Sequence, residues 1–146
     1  MGVRYLYCGA WSFKTPVSGV ASFALTDEWI LTGHSVTDRQ GTARTHSVQV
    51  SPDGRTLYST NRGQNNIAVW RTLESGLLDL AGHYDCGGDG PRGLHISPDG
   101  ETLFCANNGS GTVTVLRLDK VTGAPVDVIQ TLNVPCAACV RSVELK

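Results

Sequence analysis

One stretch of this chain comes round again. The segment THSVQVSPDGRTLYSTNRG, Thr45 to Gly63, returns as PRGLHISPDGETLFCANNG, Pro91 to Gly109, 46 residues later and without a gap. The two copies align on Ser51-Pro52-Asp53-Gly54 and Ser97-Pro98-Asp99-Gly100. A period of this size marks repeated supersecondary units that must stack to bury a common core.

Each copy reads as short strands divided by turn residues. In the first, HSVQV alternates with period two and ends at Ser-Pro-Asp-Gly, where proline presets φ and glycine admits a positive one. RTLYSTN, IAVWRTL and LLDLAGHY follow; the second copy repeats the order as GLHI, ETLFCAN, VTVLRL and VDVIQTL. Four strands in about 45 residues is the signature of a β-propeller blade. The N-terminus enters the same scheme one strand late, with RYLYCGAW, SGVASFAL and WILTGHSV, and the C-terminal CAACVRSVEL sits where a further inner strand would begin. The sequence therefore predicts an all-β, propeller-type array of about three four-stranded blades, roughly residues 1–45, 46–90 and 91–146. Three blades do not close a ring, since propellers have about four to eight. Bare blade faces invite pairing with another copy, so a homodimer is the expected assembly.

Bulk properties exclude several classes. The 146 residues include 17 glycines and carry a net charge near −1, with no basic run, which speaks against nucleic-acid or membrane-surface partners. No apolar run approaches the ~20 residues that cross a bilayer, and no charged segment followed by an apolar one opens the chain. A cytoplasmic location is the expectation. Five cysteines, Cys8, Cys86, Cys105, Cys136 and Cys139, are an odd number and read as reduced thiols. Cys136 and Cys139 have CxxC spacing, and His83 and Cys86 offer further zinc donors. That doublet lies in an apolar run, so small residues in a strand are the favoured reading, and no metal or cofactor is expected.

The repeat itself nominates a site. His46 and Arg92 hold equivalent places at the starts of inner strands, near the channel, and Arg62 and Asn108 are equivalent at the ends of the next strands. A channel mouth lined by a histidine and two arginines suits an anionic ligand, because guanidinium forks match carboxylate or phosphate. The bland alternative is a solvated or turn-bonding side chain at each strand end. Asp53 and Asp99 read as turn residues, Asp85 and Asp89 as a solvated loop, and Trp11, Trp29 and Trp70 as packing between blades.

Beyond the generic pattern, SPDGRTLYSTNRGQNNIAVW and GGDGPRGLHISPDGETLFCANNGSGTVTVLRLDKVTGAPVDVIQTLNVPCAACV resemble the seven-bladed lactonase family, which includes bacterial 6-phosphogluconolactonases and fungal carboxymuconate cyclising enzymes. The opening RYLYCGAWSF is similar to that family's N-terminal YLYVGTY type of sequence. Since such proteins run well over twice this length, the resemblance implies two chain ends with the middle blades absent. It also implies a site of one histidine, two arginines and a glutamate: His46, Arg92 and Arg62 match by offset, whereas the glutamate's place is taken by Asn108. If the repeats are instead the family's last two blades, as NRG and VPCAACV suggest, Arg62 alone is equivalent, and His46 and Arg92 are positional mimics. That second register is the preferred one.

Two functions follow. The first is metal-independent hydrolysis of a sugar lactone such as 6-phosphogluconolactone, with His46 as general base on water and Arg62 or Arg92 stabilising the oxyanion. The second is a non-catalytic propeller fragment or interaction module, for which LYSTNRGQNNIAVW resembles the YVTN class of repeats.

Overall fold

The computed structural model describes residues 3–11, 17–38 and 42–143. Every regular element among them is a β-strand, and the strands form three antiparallel meanders. Blade one has three strands, β1 (Arg4–Trp11), β2 (Ser18–Leu25) and β3 (Trp29–Asp38). Blade two has four, β4 (Arg44–Val50), β5 (Thr56–Arg62), β6 (Asn66–Thr72) and β7 (Leu78–Asp85). Blade three repeats them as β8 (Pro91–Ile96), β9 (Thr102–Asn107), β10 (Thr112–Leu118) and β11 (Pro125–Asn133). Among the described residues blade one shows three strands, corresponding to the second to fourth of the other blades, as the order of the sequence segments predicts.

The repeated Ser-Pro-Asp-Gly turns fold alike for a local reason. Asp53 Oδ1 accepts the Ser51 hydroxyl at 2.6 Å and the Arg55 amide at 3.0 Å, while the Thr56 amide donates to Ser51 Oγ at 2.9 Å. Asp99 makes the same bonds to Ser97 and Glu101, and Gly54 and Gly100 take φ of 74° and 76°. Register repeats as well. Both inner strands slip against their neighbours near the start, between Thr45 and Val48 in β4 and between Pro91 and Gly93 in β8. Such a bulge re-aims the strand's first side chains, and His46 and Arg92 lie inside it.

Both faces of blade two are covered, so β5 and β6 are buried almost throughout rather than in alternation. One face sends Leu57, Ala68 and Trp70 against Val20, in a core shared with blade one. The other sends Tyr58, Ile67 and Val69 against Leu94, Ile96, Leu103, Cys105 and Leu116 of blade three. Polar links tie the seams: Ser18 Oγ and Thr45 Oγ1 meet at 2.8 Å, and the Leu94 amide donates to Ser47 Oγ at 3.2 Å.

Three expectations are corrected. The C-terminal segment forms no strand over its described residues 134–143. It runs beside β8, where a Cβ on Gly93 would meet the Ala138 carbonyl oxygen at 2.6 Å and where Arg141 Nη1 donates to the Leu94 carbonyl at 3.1 Å. Ala137 and Val140 cover Ala106 and Val113. The segment lies where a further inner strand is expected, but it joins none of the three sheets. For the same reason the CxxC run is a turn and not a strand: Cys136 has φ of 60°, and the Ala137 amide donates to the Val134 carbonyl at 3.1 Å. Trp29, expected between blades, is 47% exposed at the start of the outer strand of blade one. Trp70 meets the expectation, fully buried with Nε1 donating to Ser59 Oγ at 2.9 Å.

Candidate functional site

At the seam between blades two and three a cleft of about 330 Å³ is lined by Thr42, Arg44, Arg62, Asn65, Asp89 and the Gly109 turn. Of the four nominated residues Arg62 alone lines this cleft; His46, Arg92 and Asn108 are not in its wall. The buried asparagines beneath it explain why this end is well shaped. Asn61, next to Arg62, accepts from Thr45 Oγ1 at 3.2 Å and donates to Thr37 Oγ1 at 3.0 Å and to Asn66 Oδ1 at 2.8 Å. Asn107, next to Asn108, donates to Thr114 Oγ1 at 3.1 Å. Each asparagine saturates the end of its second strand and fixes where the following side chain leaves the sheet.

His46 sits half-buried in the β4 bulge, its ring 6.0 Å from that of Trp11, over which the Arg44 guanidinium lies at 5.4 Å. Its Nε2 is out of solvent contact and has no hydrogen-bond partner. Burial, and then the positive charges of Arg62, Arg92 and Arg44, push the imidazole below its ordinary value of 6.5. Both effects favour the neutral imidazole over the imidazolium. Arg62 is half-buried and Arg92 exposed, and neither forms an ion pair among the described residues.

The structure thus brings His46, Arg62 and Arg92 into one electrostatic neighbourhood. Asn108 stands at its edge, where its backbone N–H donates to the Gly90 carbonyl at 3.0 Å. Sequence reasoning missed two lining residues. Arg44 lies two positions before His46 and could have been found from the strand's period. Asp89, read as a solvated loop residue, has a defined seat: Oδ1 accepts from Asn65 Nδ2 at 2.6 Å, and its carbonyl accepts from the Gly109 amide at 3.0 Å and the Ser110 amide at 3.2 Å. Gly90 N–H donates to Asn65 Oδ1 at 2.9 Å, which closes the clamp. A Cβ on Gly109 would crowd the Asp89 carboxylate and lie 3.0 Å from the Asp89 carbonyl oxygen, so the turn favours glycine. A carboxylate is therefore present in the cleft although Asn108 supplies none. Among the described residues no group of three His, Cys, Asp or Glu side chains could hold a metal ion.

Stacked four-stranded meanders, the Ser-Pro-Asp-Gly turns and a cationic cleft at the inner-strand starts define a propeller-type module. The sequence profile described as lactonase, 7-bladed beta-propeller, matches residues 15–142, and the chain belongs to that family. Among solved structures, a candidate 6-phosphogluconolactonase from Bacteroides uniformis superposes with a TM-score of 0.80 at 26% identity, over 92% of this chain and 39% of that one. A candidate 6-phosphogluconolactonase from Bacteroides fragilis gives 0.83 at 21% identity, over 97% and 41%. The periplasmic gluconolactonase of Pseudomonas aeruginosa gives 0.73 at 21%, over 94% and 41%. The last two likenesses are of fold alone. The chain spans about two fifths of the length of these proteins. No curated protein matches it in sequence. Among the described residues no helix is long and apolar enough to cross a membrane.

Proposed function

We propose that the cleft lined by Arg62, together with the neighbouring His46 and Arg92, binds a sugar lactone and hydrolyses it, 6-phosphogluconolactone being the preferred substrate. The observation that carries this reading is the unpartnered Nε2 of a histidine whose protonation is disfavoured by burial first and by three arginines next. An unsatisfied lone pair costs about 1–3 kcal/mol, and an arriving water or substrate hydroxyl relieves that cost. In the reaction His46 takes a proton from water as the oxygen adds to the lactone carbonyl. The arginine charge of Arg62 or Arg92 stabilises the tetrahedral oxyanion. The ring C–O bond then breaks, and the leaving alkoxide takes the proton back from the imidazolium, giving the hydroxy acid. Asp89, with Oδ2 facing the Gly109 turn, accepts hydroxyl protons of a polyol, and Asn108 bounds the ligand on the other side. A second copy of the chain completes the ring around this channel, and cytoplasmic sugar acids are the ligands within reach.

The test is lactone hydrolysis above the spontaneous rate, followed by acid release, in the wild type and in His46→Gln and Arg62→Gln. A fall of about 10²-fold in each is expected from the loss of a general base or an oxyanion charge. Activity that survives both substitutions would sink the assignment. The second reading, anion binding without turnover, is favoured by one observation, the asparagine at position 108. It predicts saturable binding of gluconate 6-phosphate and no rate above background.

A further inference from the structure

The opposite rim of the same seam holds a larger cavity that the lactone reading does not use. It encloses about 570 Å³, within the roughly 300–1,000 Å³ typical of small-molecule sites. Its origin is the strand period. Val69 of β6 faces blade three and joins the core, and Arg71, two residues on, leaves the sheet on the same side just beyond that core. Thr56 lies directly across from Arg71, and the Thr72 amide donates to the Arg55 carbonyl at 3.0 Å, which holds Arg55 at the same edge. Ala81 and the half-buried Tyr84 of β7 complete the wall of blade two.

The facing wall is the turn between β10 and β11, with Val121, Thr122 and Ala124. It is firmly built. Asp119 Oδ1 accepts from the Val121 amide at 3.0 Å and the Thr122 amide at 2.7 Å, and the buried Tyr58 donates its hydroxyl to the Gly123 carbonyl at 2.8 Å. Yet Val121, at the tip of this braced turn, is 93% exposed. The cations are also under-used. Arg71 reaches Asp79 only at 4.0 Å, with both side chains mostly exposed. Arg55 forms no ion pair among the described residues, and the nearby Asp53 carboxylate is engaged by Ser51.

We propose that this cavity is a second ligand site, for an amphipathic anion: a phosphate or carboxylate held by Arg55 and Arg71, carried on a ring-sized apolar body that packs on Val69, Tyr84, Val121 and Ala124. Guanidinium forks supply the anion contact, and the apolar wall gives the body a face to leave water for. The site shares no residue with the Arg62 cleft, so the two readings stand or fall separately.

The test is an amide-resolved NMR titration with phenyl phosphate, inorganic phosphate and benzyl alcohol. It is run on the wild type, on Arg55→Gln/Arg71→Gln, on Val121→Ser and on Arg62→Gln. Phenyl phosphate is expected to shift Val69, Tyr84, Val121 and Ala124 saturably, and about tenfold more tightly than either fragment alone. The double arginine variant should weaken it about tenfold or more, roughly one charge-assisted hydrogen bond. Val121→Ser should weaken it less, and Arg62→Gln should leave it unchanged. The proposal is overturned by unsaturable shifts at those amides, by equal binding of inorganic phosphate, or by binding that ignores the double variant. A loss in Arg62→Gln would overturn it too, by placing the probe in the other cleft.

Discussion

Blades two and three have the same turns, the same bulge and the same buried asparagine, yet they end differently. At the close of the second strand Asn61 is followed by Arg62, and Asn107 by Asn108. At the opening of the inner strand Thr45 is followed by His46, and Pro91 by Arg92. Beneath these pairs the scaffolds coincide, down to the strand partners Thr45 with Asn61 and Pro91 with Asn107. Residues that close the sheets are held in common, and residues one place further on are free to differ. The repeat is a mounting, and chemistry depends on what each copy mounts.

The comparison can be broken most severely in the cores. Trp70 and Leu116 are equivalent, each buried against the preceding blade. Trp70→Ala should cost about 4 kcal/mol and Leu116→Ala about 3, by urea unfolding; equal losses would show that the larger ring adds nothing to its seam. Next come the asparagines. Asn61 has three amide or hydroxyl partners, whereas those of Asn107 include a thiol and a carbonyl at 3.5 Å, so Asn61→Ala should cost about 3 kcal/mol and Asn107→Ala about 2 in the same assay.

The mouths should separate more gently. Arg62→Asn makes blade two imitate blade three at that position and should weaken gluconate 6-phosphate binding about tenfold in calorimetry, without moving the unfolding midpoint. His46 gives a pH signature. Its folded value is lowered from 6.5 by burial first and by the arginines next, so the folded state resists protonation that the unfolded state accepts. Stability is therefore full above 6.5 and falls as pH drops from there through the lowered value. His46→Gln should flatten that slope, and Arg62→Gln, by raising the folded value toward 6.5, should narrow it from its low-pH side and reduce the total loss, in midpoints measured from pH 8 to 5. Last, Gly54→Ala and Gly100→Ala should each cost only about 1 kcal/mol, and by the same amount, since both glycines hold a left-handed φ in matching turns.

Much of this was legible because it is local. Ser-Pro-Asp-Gly determines its turn through bonds within five residues, and period-two runs between turns are strands wherever they occur. The 46-residue offset then carried His46, Arg62, Arg92 and Asn108 to matching strand ends, which is where the structure places them. Locality also explains the failures. CAACVRSVEL has a strand's composition, but a strand exists only when another pairs with it, and composition does not contain the partner. Trp29 has a core residue's side chain, but burial depends on a covering face that the outer strand of blade one lacks at that point.

What the sequence alone determined, then, is the repeat, its turns, its strands and the equivalence of His46 with Arg92 and of Arg62 with Asn108. The tertiary structure decided which of those positions meet. The seam between blades two and three sets the Asp89 loop against Asn65 and the Gly109 turn, directs three arginine charges at one imidazole, and opens the Arg55–Arg71 cavity on the other rim. Asp89 lies 24 residues from Asn65, Arg92 46 from His46 and Val121 50 from Arg71. Only the packing of one blade's face on the next brings them within a few ångströms, and turn chemistry, which acts over a handful of residues, has no means of encoding it.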